Sequence, residues 1–206
     1  MNNTFNSSIS YQKNFVGTPF NLNVTATHSQ NTNTESVTMT LPSLQLSMNR
    51  IYPFAGKGGI KKNPLQNIGL TYNMQGQYLI NTTEEEFFTA KMFETARSGV
   101  QHRADANTNI TLLNYFNLSP SVHYREVWNF QSLEKRYDDT ILNNDGTTGA
   151  VVSDTIQGFR TFREYSTSLN LSTNIYGTFE FKKGRLKALR HTIRPSISFT
   201  YRPDFA

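Results

Sequence analysis

The chain has no cysteine among its 206 residues. That excludes thiolate nucleophiles, cysteine-ligated metal centres and any disulfide framework. It also has no apolar run of about 18 residues, so no helix of it crosses a bilayer. Charge is scarce, with Asp, Glu, Lys and Arg at 17% against about 25% in ordinary domains. The net charge of +5 is spread along the chain except in KGGIKK (57–62) and KKGRLKALR (182–190). Those two stretches read as solvated turns, because a nucleic-acid partner needs one consistent basic face. The opening MNNTFNSSIS has neither the basic nor the apolar region of a signal peptide.

What is abundant points elsewhere. There are 15 Phe and 10 Tyr, and the polarity comes from 22 Asn, 25 Thr and 17 Ser, together 64 of 206 residues. Such a composition suits β structure with one wetted face. Period-two alternation recurs along the chain. In TFNSSISYQK, Phe5, Ile9 and Tyr11 alternate with Asn6, Ser8 and Ser10. FNLNVTATH sets Phe20, Leu22 and Val24 against Asn21, Asn23 and Thr25. VTMTLPSLQLSM runs Val37, Met39, Leu41 and then shifts phase to Leu44, Leu46, Met48 around Pro42. NIGLTYNMQGQYLI sets Leu70, Tyr72 and Met74 against Thr71, Asn73 and Gln75. RADANTNITLL sets Ala104, Ala106 and Ile110 against Arg103, Asp105 and Asn107. FNLSPSVHYREVW sets Leu118, Val122 and Tyr124 against Ser119, His123 and Arg125. EYSTSLNLSTNIYGTFEF sets Leu169 and Leu171 against Ser168 and Asn170. HTIRPSISFTYRPDFA sets Ile197 and Phe199 against Arg194, Ser196 and Ser198. These predict eight strands. One helix is predicted in NTTEEEFFTAKMFETARSG, with Thr83 and Glu86 as a capping box, Phe88, Met92 and Ala96 on one face, and Gly99 closing it.

A soluble glycan-binding β-sandwich alternates in the same way, with its apolar face turned to a core. Two features favour a transmembrane barrel. Several strands run beyond the about 5–6 residues of soluble sheets and reach the about 9–11 that cross a bilayer. The polar face is also uniformly Asn, Ser, Thr and Gln, as a hydrated lumen requires. Backbone groups in lipid must all be paired, so spanning strands close into a barrel. Aromatics near strand ends, Phe54, Tyr78, Trp128, Phe179 and Tyr201, fit interfacial girdles. Tight turns are predicted around FVGTP, near 114–115 and at 182–185; long loops are predicted at about 81–100 and 131–160. The stretch 49–66 is long although it falls on the short-turn side. This parity puts the start of the first strand and the end of the last on the long-loop side, which predicts residues 1–206 to be one segment of a larger antiparallel barrel.

The predicted lumen-facing residues are Asn21, Asn73, Arg103, Asp105, Asn107, Arg125, Asn170 and Arg194. The predicted lipid-facing residues are Ile9, Leu22, Leu70, Val122, Leu171, Ile197 and Phe199. Pro42, Pro120 and Pro195 fall within strands, where a residue without an N–H forces a bulge or a weakened seam. No chemistry-bearing pattern emerges. His28, His102, His123 and His191 have no ligand spacing, and NNDG (143–146) reads as a turn because a calcium loop there would start on Ile141. The Asn-x-Ser/Thr triplets at Asn23, Asn109 and Asn170 lie inside strands and follow from composition. No catalytic, cofactor or metal site is assigned.

Three blocks carry a resemblance: LPSLQLSMNRIYPF (41–54), FNLSPSVHYREVW (116–128) and ALRHTIRPSISFTYRPDF (188–205). They resemble barrel segments of the LptD family of outer-membrane lipopolysaccharide assembly proteins. The resemblance implies a very large β-barrel in the Gram-negative outer membrane, without enzymatic activity or cofactor. It implies a periplasmic lipopolysaccharide bridge feeding the barrel, a plug lipoprotein of the LptE type, and lipopolysaccharide leaving through a lateral opening between the first and last strands. The chain departs from the family pattern in lacking a periplasmic jellyroll domain, a signal peptide and cysteines, and neither strand of the lateral seam is recognisable. A porin-like channel is the alternative barrel function.

Overall fold

The structure, a computed structural model, describes residues 3–59, 63–142, 148–181 and 187–205. The predicted turns NNDG and KKGR, and the last three residues of KGGIKK, lie outside the described residues. The fold is a mostly antiparallel β-sheet. In chain order its strands are β1 (Thr4–Asn14), β2 (Phe20–Asn31), β3 (Ser36–Ile51), β4 (Gly69–Thr83), β5 (Arg97–Asn107), β6 (Ile110–Leu112), β7 (Phe116–Leu142), β8 (Thr148–Thr173), β9 (Ile175–Glu180), β10 (Ala188–Ile193) and β11 (Ser196–Tyr201). The main hydrogen-bonded order is β1-β2-β3-β4-β5-β7-β8-β11, so nearly every neighbour in sequence is a neighbour in space. β1 and β11 are its two edges, and no pairing among the described residues closes them.

The eight predicted ribbons account for the eleven strands, because three ribbons are interrupted without losing register. β8 pairs β11 with Leu171 opposite Ile197, and β9 pairs β10 with Ile175 opposite Ile193. The two residue numbers sum to the same value in both ladders, and Thr173 N donates to Pro195 O at 3.2 Å in the gap. These four strands therefore form one hairpin broken at Asn174 and at Arg194–Pro195. β6 pairs β7 with Ile110 opposite Leu118, and Thr108 N donates to Pro120 O at 3.2 Å in the same register. Both gaps face a proline, which accepts through its carbonyl but has no N–H to return the bond. Pro42 breaks nothing: β3 runs through it with a cis Leu41–Pro42 peptide bond.

Three expectations fail. Residues 131–160 are not a loop, because β7 and β8 run on as strands of 27 and 26 residues. Alternation had faded there, but main-chain pairing and cross-strand contacts such as Gln131–Gln157 (3.2 Å) and Arg136–Asp154 (3.4 Å) need none. The helix shrinks to α1, Ala90–Glu94, capped by Thr89 without a side-chain bond. Thr83 cannot cap it because β4 takes that residue, and Glu84 N continues the ladder by donating to Glu35 O at 2.9 Å. Phe88 sits at φ 63 and is 76% exposed, so it leaves the helical path; Gly99 belongs to β5. The fifth strand begins at Arg97, earlier than predicted.

The chain divides into two compact units. The first comprises Met1–Ser47, Asn73–His102 and Glu126–Arg163. Here β1 and β2 pair over their full length, and the connection turns on Gly17 at φ 79. Met92 of α1 closes over Val37, Met39, Ile80 and Ala96, the buried apolar cluster among the described residues. The second unit comprises Met48–Tyr72, Arg103–Arg125 and Glu164–Ala206. It holds the tight Leu112–Tyr115 turn, with Leu113 at φ 51 and Asn114 at φ 62. That is the primed geometry a two-residue hairpin needs.

Candidate functional site

The candidate site is the pair of faces that the registers define. In β1–β2, Ile9 lies opposite Ala26, Tyr11 opposite Val24 and Lys13 opposite Leu22; on the other face Asn21 lies opposite Asn14 and Asn23 opposite Gln12. Ile9 and Leu22 thus share a face, and Asn21 is on the reverse. In β8–β11, Leu171 lies opposite Ile197 and Leu169 opposite Phe199, while Asn170 lies opposite Ser198 and Ser168 bonds Thr200 at 3.0 Å. Val122 alternates with His123 and Arg125 in β7, and Leu70 is three residues from Asn73 in β4, which places each pair on opposite faces. Arg194 is exposed in the gap between β10 and β11.

The exposures are inverted relative to a soluble domain. Ile9 is 73% exposed, Ile197 70% and Phe199 67%. In β8 the polar positions Glu164, Ser166, Ser168 and Asn170 are half-buried, while Tyr165 and Leu169 between them are exposed. Burial normally collects the apolar side chains because each Å² removed from water is worth about 25 cal/mol. β8 and β11 leave Leu169, Ile197 and Phe199 out, whereas Val37, Met39 and Ile80 of β3 and β4 are buried beneath Met92.

On the polar face of the second unit, charged side chains form a belt. Asp105 accepts from His123 Nδ1 at 2.6 Å and faces Arg103 Nε at 3.5 Å. Glu164 accepts from Arg125 Nη1 at 3.0 Å through one oxygen and from Arg202 Nη2 through the other. The two carboxylates are sunk, at 18% and 16% side-chain exposure, whereas the arginine heads stand out at 44–63%. The belt therefore presents cations to whatever occupies this face, and it is suited to attract anionic, hydrated groups. Beside it, a cleft of about 710 Å³ opens where Pro120 interrupts the ladder. Arg50, Tyr52, Asn67, Asn107, Asn109 and Asn170 line it, so amides and hydroxyls dominate its walls.

The structure thus brings Arg103, Asp105 and Arg125 into the belt and Asn107 and Asn170 into the cleft, while Asn21, Asn73 and Arg194 join neither. Sequence reasoning missed Glu164, Arg202 and His123 as belt members. Glu164 and Arg202 lie inside the predicted stretches and share the parity of Ser168 and Thr200, so carrying the alternation to the ends of both stretches places them on the polar face. Of the four histidines, His123 hydrogen-bonds Asp105 and His102 stacks on Trp128 at 4.1 Å.

The chain is thus an antiparallel β-sheet protein whose β8 and β11 bare apolar side chains and whose polar face carries ion pairs. The particular family follows from comparison: the model described as LptD protein matches residues 1–206, and the chain belongs to the LptD family. That family consists of outer-membrane proteins of Gram-negative bacteria engaged in lipopolysaccharide transport. No curated protein and no solved structure matches the chain.

Proposed function

We propose that the chain forms part of the wall of a closed outer-membrane β-barrel that inserts lipopolysaccharide into the outer leaflet. The inverted exposure carries the reading. A sheet that half-buries Ser168 and Asn170 while leaving Leu169, Ile197 and Phe199 bare is suited to hydrocarbon on one side and water on the other. The open edges at β1 and β11 support a larger barrel. Neither edge strand contains a proline, β11 carries no charge, and β1 carries a single Lys13 near its end, so both remain open to pairing with further strands. Ile9, Leu22, Leu70, Val122, Leu171, Ile197 and Phe199 then meet lipid. Asn21, Asn73, Arg103, Asp105, Asn107, Arg125, Asn170 and Arg194 face a hydrated lumen. The cationic belt suits the phosphorylated sugars of the cargo or a plug lipoprotein of the LptE type, with lipopolysaccharide delivered by the periplasmic bridge. The role needs no catalysis.

The test uses neighbouring residues of one strand. Leu171→Arg places a cation in the bilayer interior at a cost of about 2–4 kcal/mol, whereas Asn170→Arg adds one more cation to a wet face. Heat-modifiable gel mobility after membrane extraction should show assembly impaired for Leu171→Arg and retained for Asn170→Arg. Equal yields would reverse the facing.

A further inference from the structure

In β7 of the first unit, Glu126, Trp128 and Phe130 share one parity with Val122 of the proposed lipid face. Trp128 Nε1 donates to Glu126 Oε1 at 2.9 Å, and Arg163 of β8 donates to the same oxygen from Nε at 3.2 Å. Phe159 of β8 meets Trp128 edge-on at 6.0 Å and Phe130 at 5.9 Å. An ion pair flanked by aromatics therefore sits on the face that carries Val122, Tyr165 and Leu169. An arginine is costly on a lipid-facing barrel surface at the bilayer midplane and nearly free at its boundary, where Trp also concentrates.

Two further observations fix the level. Beyond Phe130 the same parity carries Ser132, Glu134, Arg136 and Asp138, and beyond Phe159 in β8 it carries Gln157, Thr155 and Ser153. The apolar face ends at this cluster on both strands. The 27 residues of β7 far exceed the about 9–11 that cross a bilayer.

The geometry points to Trp128, Glu126 and Arg163 as a headgroup site at the membrane boundary, where Arg163 takes a phosphate of a membrane lipid's headgroup. This rests on the barrel-wall reading. Glu126, at 17% side-chain exposure, accepts from the Nε of Arg163, whose side chain is 66% exposed. The guanidinium end is thereby aimed outward by a sunk carboxylate, and Trp128 supplies the amphipathic surface that packs at headgroup level. The arms of β7 and β8 beyond Phe130 and Phe159 stand clear of the bilayer.

Trp128 is the one tryptophan of the chain, so its emission reads this site alone. The chain is reconstituted in phosphatidylglycerol vesicles brominated either near the glycerol or near the acyl methyl end. Shallow bromines should quench Trp128 about twofold more than deep ones; stronger quenching by deep bromines overturns the boundary. In a phosphate-free galactolipid containing a minor fraction of shallow-brominated phosphatidylglycerol, quenching should exceed the mole-fraction value about threefold. Arg163→Ala should return it to the mole-fraction value, and Arg163→Lys should keep most of the excess. Wild-type quenching at the mole-fraction value, or an unchanged Arg163→Ala, overturns the phosphate site. Leu171→Trp in a Trp128→Phe chain separates the two readings. If deep bromines quench it while Trp128 fails the test, the barrel wall stands and the headgroup site falls. If neither is quenched, both fall.

Discussion

Between Phe116 and Arg125, β7 alternates strictly: Leu118, Val122 and Tyr124 on one side, Asn117, Ser119, His123 and Arg125 on the other. Between Gln131 and Leu142 it does not; Leu133, Lys135, Tyr137 and Asp139 share one parity, Ser132, Glu134, Arg136 and Asp138 the other. The ladder persists through both halves. Pairing alone therefore holds a strand, and alternation appears only where the two faces meet different surroundings. The ionic contacts differ in the same sense. Glu164 and Asp105 are sunk beneath their arginines, whereas Arg136 and Asp154 in the far half are 62% and 58% exposed.

The comparison can be broken at three strengths. Val122→Arg and Val151→Arg place the same cation on the two halves of the hairpin. Val122→Arg should cost about 2–4 kcal/mol in assembly, while Val151→Arg should stay within about 0.5 kcal/mol, as exposed surface substitutions do. Heat-modifiable mobility reads both, and equal defects would erase the distinction between the halves. Next, Glu164→Gln strands Arg125 and Arg202 without their shared anion. It should lower the temperature of barrel unfolding measurably, whereas Asp154→Asn should leave it within the about 0–1 kcal/mol of an exposed pair. A larger loss for Asp154→Asn would contradict the ranking of sunk over exposed pairs. The smallest effect belongs to the turn at the near end. Leu113 occupies left-handed backbone at φ 51, which Asn tolerates better, so Leu113→Asn should raise stability by about 0.5–1 kcal/mol in urea titration.

These contrasts also mark what could be read from the sequence. All eight ribbons were legible, because Ile9 and Tyr11, Leu22 and Val24, or Leu169 and Leu171 recur every second residue against Asn, Ser and Thr. The outer arms of β7 and β8 were not, since solvent on both sides imposes no period on QSLEKRYDDTIL. The helix was over-read because Thr83-x-x-Glu86 has capping-box chemistry, yet residues 81–83 are claimed by pairing with β3, a long-range contact that local spacing does not encode. The interruptions at Pro120 and Pro195 followed from a missing N–H. The belt was half legible. Arg103, Asp105 and Arg125 lie in alternating stretches, but the pairing of Arg125 with Glu164 depends on the register between β7 and β8, which only the fold supplies.

The absence of native cysteine allows the facing itself to be measured. Single nitroxide labels at Ile197→Cys and Ser198→Cys, adjacent in β11, should report opposite environments in membranes. The account predicts that the label at 197 collides with dissolved oxygen and is shielded from a water-soluble nickel chelate, with the reverse at 198. Equal chelate access at both positions, or a label at 197 immobilised and shielded from both reagents, would contradict it.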